Sequence, residues 1–148
     1  SDVCSSDLPA IAAEPELERL LKETVANADN AMCALDFQGG INAIMDFCKR
    51  VNGYVTEKEP WAIAKDAERK QELDQVLYNT AESIRALAVL LHPVMPETTE
   101  KLWASLGGND LGAIDKQVIS EVANWGQLKS GSKVTKGAVL FPRLEEAK

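Results

Sequence analysis

A helical spacing of apolar residues, sustained from Leu17 to Leu106, constrains this fold more than any other feature of the sequence. Steps of three, four and seven residues place these side chains along one face of successive helices. The spacing predicts four helices, at 15–32, 36–55, 73–91 and 96–106. A fold built from them is an all-α bundle.

Two of these helices carry specific expectations about their faces. Asp36 is placed as the N-cap of the second helix. In the third helix, Glu82 and Ser83 are expected to lie off the apolar face. The second helix is expected to bury the stripe Phe37, Ile41, Ile44, Met45, Cys48, Val51 and Val55.

Proline and glycine mark the ends of the helices. Pro60 and Pro93 disfavour the helical conformation in the residue before them, and Gly107-Gly108 suits a helix C-terminus. After Gly108 the pattern weakens, which predicts a partly irregular C-terminal tail. A short last helix is expected around residues 118–122, with extended pieces at Val134 and 139–141. We predict one helical domain over residues 10–148, after a non-native-looking or disordered leader at 1–9.

Composition excludes several classes of protein. No apolar run approaches the ~20 residues of a membrane span, and three cysteines without ligand-like spacing favour a reducing, cytoplasmic setting. The formal net charge of −7 argues against a nonspecific polyanion binder. Charge is uneven, however, because residues 126–143 contain Lys129, Lys133, Lys136 and Arg143 but no acid, so an acidic chain can still present a basic face.

The chain shows no catalytic constellation. His92 is its single histidine, and its place before a proline favours a structural capping role. Phosphate-binding glycine loops are absent, and Glu57 and Glu59 flank a solvated turn. We therefore predict no catalytic residue, no metal site and no bound cofactor, and interpret the chain as a helical binding module.

Trp61 is the most informative single residue. It follows Pro60 in a break between two helices, where an aromatic ring either plugs the bundle end or stacks on an unpaired RNA base. Asn52 precedes the break and could hydrogen-bond a base edge or cap the helix. Trp103 and Trp125 are expected to anchor the core or the tail.

An ordered set of segments carries a family resemblance. It comprises Val51-Asn52-Gly53-Tyr54-Val55, Glu59-Pro60-Trp61-Ala62-Ile63-Ala64-Lys65, Leu77-Tyr78-Asn79, Leu90-Leu91-His92-Pro93-Val94-Met95-Pro96 and Lys101-Leu102-Trp103. The set resembles the anticodon-binding helical domain of class I aminoacyl-tRNA synthetases. The closing Lys136-Gly137-Ala138-Val139-Leu140-Phe141-Pro142-Arg143-Leu144-Glu145 resembles the end of the core of the methionine-specific members.

The resemblance implies a role in forming methionyl-tRNA. It implies that Trp61 stacks on the first anticodon base, that Pro60 fixes its approach, and that Asn52 matches an asparagine common at that place. The implied partners are a methionine-accepting tRNA and the catalytic domain of the parent chain, which uses ATP and methionine. The nucleotide-binding signatures of that domain are absent here, so we expect no aminoacylation by this chain alone.

The resemblance also implies a missing element. In the family, another helix precedes the region that matches Glu16 and carries an Asn and an Arg that read the anticodon, whereas Ser1–Pro9 stands in that place here. We expect its absence to uncover apolar surface, with Leu20, Val25, Ile44 and Leu87 as candidates. The alternative is a stand-alone helical adaptor that binds a protein partner through an apolar groove.

Overall fold

Helices form the regular secondary structure of the computed structural model, which describes residues 14–129 and 132–142. The predicted all-α class is confirmed, and the pieces expected to be extended form no strand within these two ranges. The predicted leader and Arg143 lie outside them. The helices are α1 (Pro15–Cys33), α2 (Phe37–Lys58), α3 (Pro60–Ile63), α4 (Lys70–Leu91), α5 (Pro96–Ser105) and α6 (Ile119–Val122). Single 3-10 turns occur at Ala67–Arg69, Gly108–Leu111 and Ile114–Lys116.

Local sequence accounts for where these helices start and stop. Proline occupies the first turn of α1, α3 and α5, where its missing N–H is not needed. The Asp36 side chain caps α2 by accepting a hydrogen bond from the Gly39 amide at 2.9 Å. Gly107 ends α5 with a left-handed φ of 75°. The bounds therefore match the predicted ones closely.

Helix α4 is the centre of the bundle and contacts each of the other five helices. On one side it packs against α1 and α2, an antiparallel pair joined by a short connection. On its other side it packs against α5 and the tail. Leu17, Leu21, Phe47, Val51, Leu87 and Leu90 belong to the larger core cluster, and Tyr78, Ala81, Leu106 and Leu128 form a smaller one.

The predicted buried stripe of α2 is partly wrong. Ile44 and Val51 are buried as expected, but Phe37 is 58% exposed and Met45 is also exposed. The buried face is instead Gly40, Ile44, Phe47, Val51 and Tyr54, which also has helical spacing. Two overlapping apolar faces were available, and the face that carries Phe47 and Tyr54 meets α1 and α4.

The expectation for Glu82 and Ser83 is also wrong, because both side chains are fully buried in α4. Glu82 forms an ion pair with buried Arg85, with Oε1 2.8 Å from Nε. Burial lowers the pKa of the Arg85 guanidinium, and the Glu82 charge opposes that shift. A buried carboxylate is stable here because its oxygens accept hydrogen bonds from the Arg85 guanidinium and from three backbone amides.

The Glu82–Arg85 pair fastens the tail to α4. The Glu82 carboxylate accepts hydrogen bonds from the backbone amides of Gly126, Gln127 and Leu128 at 2.9, 2.9 and 3.1 Å. Arg85 donates to the carbonyls of Val122 and Asn124 at 3.0 and 3.2 Å. Polar contacts in the core thus replace the regular secondary structure that this segment lacks.

The other aromatic and histidine assignments agree with the structure. Trp103 is 1% exposed and donates from Nε1 to the Gly112 carbonyl at 3.0 Å, while Trp125 is half-buried against the larger core cluster. His92 is the C-cap of α4, and its Nδ1 lies 2.8 Å from Thr99 Oγ1 in α5. Both tryptophans therefore act as anchors, as expected.

Four residues were expected to form apolar surface left uncovered by the missing helix. Three of them, Val25, Ile44 and Leu87, are buried in the larger core cluster. Leu20 is half-buried against it. The existing bundle therefore already covers most of this surface. No helix in the described parts of the chain is long and apolar enough to cross a membrane.

Candidate nucleic-acid interface

A sharp corner between α2 and α3 forms the candidate site. Glu59 joins the two helices in a left-handed conformation, with φ 46° and ψ 60°. Its amide donates to the Val55 carbonyl at 3.0 Å, and its carbonyl accepts from the Ala62 and Ile63 amides at 2.8 and 3.2 Å. A left-handed residue other than glycine costs roughly 1–2 kcal/mol, so these three hydrogen bonds hold a strained joint.

The corner buries one side chain of α3 and presents another. Ile63 is 1% exposed and belongs to the larger core cluster, which fixes the short helix on the bundle. Trp61 lies two residues earlier, on the opposite side of the same turn, and is 55% exposed. Pro60 is half-buried at the first position of α3. Of the two interpretations of Trp61, the structure therefore favours an accessible ring, because more than half of it is exposed and it is not enclosed in the core.

Asn52 lies in the interior of α2, two helical turns before Glu59, and is exposed. Its backbone carbonyl accepts a hydrogen bond from Thr56 Oγ1 at 2.9 Å. The capping alternative is wrong, because α2 continues to Lys58. Within the described residues no hydrogen bond engages the Asn52 side chain, so its amide remains available to a ligand.

Two lysines flank Trp61 and were not singled out from the sequence. Lys58 lies with Nζ 5.8 Å from the centroid of the Tyr54 ring, and exposed Lys65 follows α3. Neither forms an ion pair among residues 14–129 and 132–142, whereas the next cations along the chain, Arg69 and Lys70, pair with acids on α4. Their positions in the sequence could have indicated both lysines, since they lie three residues before and four residues after Trp61.

A cleft of about 170 Å³ opens beside the C-terminal end of α2. Tyr54, Lys58 and Glu57 line it from α2, and Glu14 and Glu16 line it from the start of α1. Burial raises the pKa of Tyr54, so its hydroxyl stays protonated at neutral pH. The cleft therefore offers a hydroxyl donor, one ammonium group and several carboxylates beside the corner.

In the described part of the chain, no three His, Cys, Asp or Glu side chains group as metal ligands. Glu57 and Glu59 are exposed, in keeping with their interpretation as surface charges. What the corner offers is a rigid, exposed indole beside unpaired cations. Single-stranded nucleic acids are bound by aromatic platforms combined with positive charge.

A family model described as the anticodon-binding domain of tRNA ligase matches residues 14–135. The chain belongs to this family. The match includes the Trp61 corner, Asn52 and all six helices, so the sequence resemblance to synthetase anticodon-binding domains is confirmed.

Curated relatives of this anticodon-binding domain are methionine–tRNA ligases. The Streptomyces coelicolor enzyme is 53% identical over 148 residues, covering 95% of this chain and 28% of the enzyme. The Bacillus subtilis enzyme is 40% identical over 131 residues, covering 87% of this chain and 19% of the enzyme. The chain therefore spans less than a third of either relative.

A solved structure has the same fold. Apo methionyl-tRNA synthetase from Mycobacterium tuberculosis superposes with a TM-score of 0.71 at 23% identity. The superposition covers 97% of this chain and 29% of that enzyme. The bundle and its irregular tail thus match a part of a larger synthetase.

Proposed function

We propose that this chain recognises the anticodon of a methionine-accepting tRNA, as the anticodon-binding part of a methionine–tRNA ligase. The exposed Trp61 indole on a rigid corner is the observation that carries the proposal. Membership of the anticodon-binding family and the names of the relatives supply the substrate.

Trp61 would act as a stacking platform for the first anticodon base. Stacking of a base on an aromatic ring contributes roughly 1–3 kcal/mol. Pro60 holds the start of α3, and Ile63 anchors its other face, so little side-chain or backbone freedom is lost on binding. Asn52 would hydrogen-bond a base edge with its free amide.

Lys58 and Lys65 would contact the phosphates on either side of the stacked base. Lysine acts as a point charge towards phosphate and carries no base specificity, whereas stacking and amide contacts to a base edge orient the base. This division assigns affinity without base specificity to the lysines and to stacking on Trp61, and base recognition to Asn52.

The parent ligase would supply everything that this domain lacks. Its catalytic domain would bind ATP and methionine and charge the tRNA that this domain holds, in the cytoplasm, where translation takes place. We therefore expect no ATP–pyrophosphate exchange and no aminoacylation from this chain alone. The catalytic domain of the same chain is the proposed protein partner.

The test is a titration of the chain with methionine tRNA and with a tRNA of altered anticodon. Trp61→Ala should weaken binding to methionine tRNA by about 5- to 150-fold, which is 1–3 kcal/mol expressed as a ratio. Phe37→Ala is the matched control, because Phe37 is equally exposed and also lies two residues after a left-handed residue, Leu35.

Equal affinity of the wild-type chain for both tRNAs would contradict anticodon recognition. The alternative, a helical adaptor for a protein partner, would use a different surface. An apolar cleft of about 290 Å³ lies at the opposite end of α2 and α4, lined by Met32, Ile44, Val89, Leu90, Ile114 and Ile119. No contact in the described residues indicates a partner for this cleft, so we rank the adaptor second.

A further inference from the structure

A group of lysines lies on the α5 side of the bundle, away from α1 and α2. We define the α5–tail lysine surface as Lys101, Lys129, Lys133 and Lys136, each of which is exposed. The first belongs to α5, and the others belong to the segment that covers its C-terminal end. The Trp61 corner does not include any of them.

Backbone contacts bring these lysines together. The Thr135 amide donates to the Ser105 carbonyl at 2.9 Å, and Ser105 Oγ donates to the Lys101 carbonyl at 2.9 Å. A Cβ on Gly107 would lie 3.3 Å from the Lys133 carbonyl oxygen. Lys101, Lys133 and Lys136 therefore surround the C-terminal end of α5.

Lys129 extends the surface along α4. Leu128, directly before it, is 2% exposed and packs with Tyr78 and Leu106. The Ser132 amide donates to the Lys129 carbonyl at 3.1 Å, which keeps Lys129 close to the residue before Lys133. The backbone contacts thus place the four lysines around the end of α5 and the adjoining tail.

Charge sets this surface apart from the rest of the molecule. Within the described residues none of its lysines forms an ion pair, whereas Lys22, Lys49, Lys70 and Lys116 each do. Residues 126–142 contain no acid; Glu121 precedes this stretch and Glu145 and Glu146 follow it, while Glu97 and Glu100 are the acids next to Lys101 along the chain. Such a cluster stands out in a chain with a net charge of −7.

A structural role explains only part of this cluster. The C-terminal end of a helix carries partial negative charge, and a cation there is favourable. One lysine near Ser105 is sufficient for that purpose. Further unpaired lysines repel one another unless an anion lies between them.

We propose that the α5–tail lysine surface binds the phosphate backbone of the same tRNA outside the anticodon. This inference rests on the proposed function. Lysine contacts to phosphate carry no base specificity, so this surface suits contacts that are independent of sequence. It lies beside Tyr78 and Ala81 of α4. These two residues are roughly 12–16 Å along the helix axis from Lys70, where α4 begins next to the corner. An RNA stem that extends from a loop at Trp61 spans such a distance.

The experiment compares two triple variants of the 148-residue chain. One carries Lys101→Gln, Lys133→Gln and Lys136→Gln. The matched control carries Lys22→Gln, Lys49→Gln and Lys116→Gln, which removes the same charge from exposed lysines elsewhere. Circular dichroism establishes that both variants fold, and fluorescence anisotropy measures the affinity for labelled methionine tRNA over a range of salt concentrations.

The α5–tail variant should bind more weakly, and the slope of log K against log salt concentration should shrink by about 2 to 3, at roughly 0.7–0.9 per lost phosphate contact. Its preference for the methionine anticodon over an altered anticodon should stay unchanged. An unchanged slope, or a shift no larger than that of the control variant, would overturn the inference. Loss of anticodon preference would also overturn it. A wild-type chain without anticodon preference would instead contradict the proposed function.

Discussion

Glu82 and Arg85 lie one turn apart on α4, with Oε1 2.8 Å from Nε, and both side chains are almost completely shielded from solvent. Together they engage five backbone groups of residues 122–128. The pair therefore connects the central helix to an irregular segment that otherwise has few regular hydrogen bonds. The stability of that segment depends on keeping both charges in place.

Glu82→Gln should destabilise the fold strongly. The substitution leaves Arg85 as a buried cation without its counter-ion, and breaking a buried pair in this way costs about 3–5 kcal/mol of the free energy of unfolding. Urea denaturation followed by circular dichroism measures the loss. Glu72→Gln is the control, because it breaks the exposed pair with Arg69 and should leave the midpoint nearly unchanged. Similar midpoints for the two variants would show that the buried pair contributes little.

The free energy of unfolding should fall as the pH rises above 10. Burial, reinforced by the charge of Glu82, raises the pKa of Tyr78 above its ordinary value of 10.0. Above pH 10 an unfolded chain loses the tyrosine proton while the folded chain retains it. The free energy of unfolding therefore decreases with rising pH until the pH passes the pKa of Tyr78 in the folded state. The Tyr78 hydroxyl also donates to the Leu128 carbonyl at 2.9 Å, and ionisation removes that hydrogen bond.

Tyr78→Phe tests this pH dependence. The variant should be about 1 kcal/mol less stable at pH 8, because it lacks the hydrogen bond. Between pH 10 and 11 its stability should fall less steeply than that of the wild type, as measured by urea denaturation at each pH. Parallel pH profiles for the two proteins would show that Tyr78 does not titrate differently in the folded state.

Alanine at two glycines should have opposite effects. A Cβ on Gly108 would lie 2.4 Å from the Trp103 ring, so Gly108→Ala forces the indole or the backbone to move, at a cost of about 1–3 kcal/mol. Gly53 lies in the interior of α2 with nothing within 4 Å of its Cβ position. Gly53→Ala should therefore stabilise the helix by about 0.5–1 kcal/mol. Thermal melts of both variants measure the difference, and a stabilised Gly108→Ala would contradict the packing at Trp103.

Tryptophan substitutions should separate binding from folding. Trp61 is 55% exposed, so Trp61→Ala should change the free energy of unfolding little while it weakens tRNA binding. Trp103 is 1% exposed, and Trp103→Ala should cost about 3–5 kcal/mol of stability. Denaturant titrations of the two variants provide the measurement. A large loss of stability in Trp61→Ala would indicate that the indole supports the corner from within the fold.

The corner shows how far local sequence determines a site. Pro60 predicted the end of α2, because proline restricts the residue before it whatever surrounds the chain, but it left open whether Trp61 plugs the bundle end or faces solvent. It did not predict the left-handed Glu59, or that Ile63 would fix α3 to the core. Those features depend on the contacts of α3 with α4, which come from a different part of the chain.

Asn52 is a residue whose role the local sequence did not decide. Its residue type suggested either a helix cap or a ligand contact, and both were open from the sequence. The capping alternative is excluded because Glu59 is the C-cap of α2, seven residues beyond Asn52, and the ligand contact stays a prediction. Lys58 and Lys65 were ordinary charges in the sequence and became candidates only when the fold left them unpaired beside Trp61.

The sequence by itself determined the all-α class, the positions of the helices and their ends, because apolar spacing, proline, glycine and N-caps act over a few residues. Only the tertiary structure decided which face of α2 is buried and that Glu82 lies inside. Two faces of α2 had similar apolar content, so the choice depended on the shape of α1 and α4. A carboxylate is costly to bury unless donors surround it, and the donors for Glu82 are one arginine on its own helix and amides that lie over forty residues away.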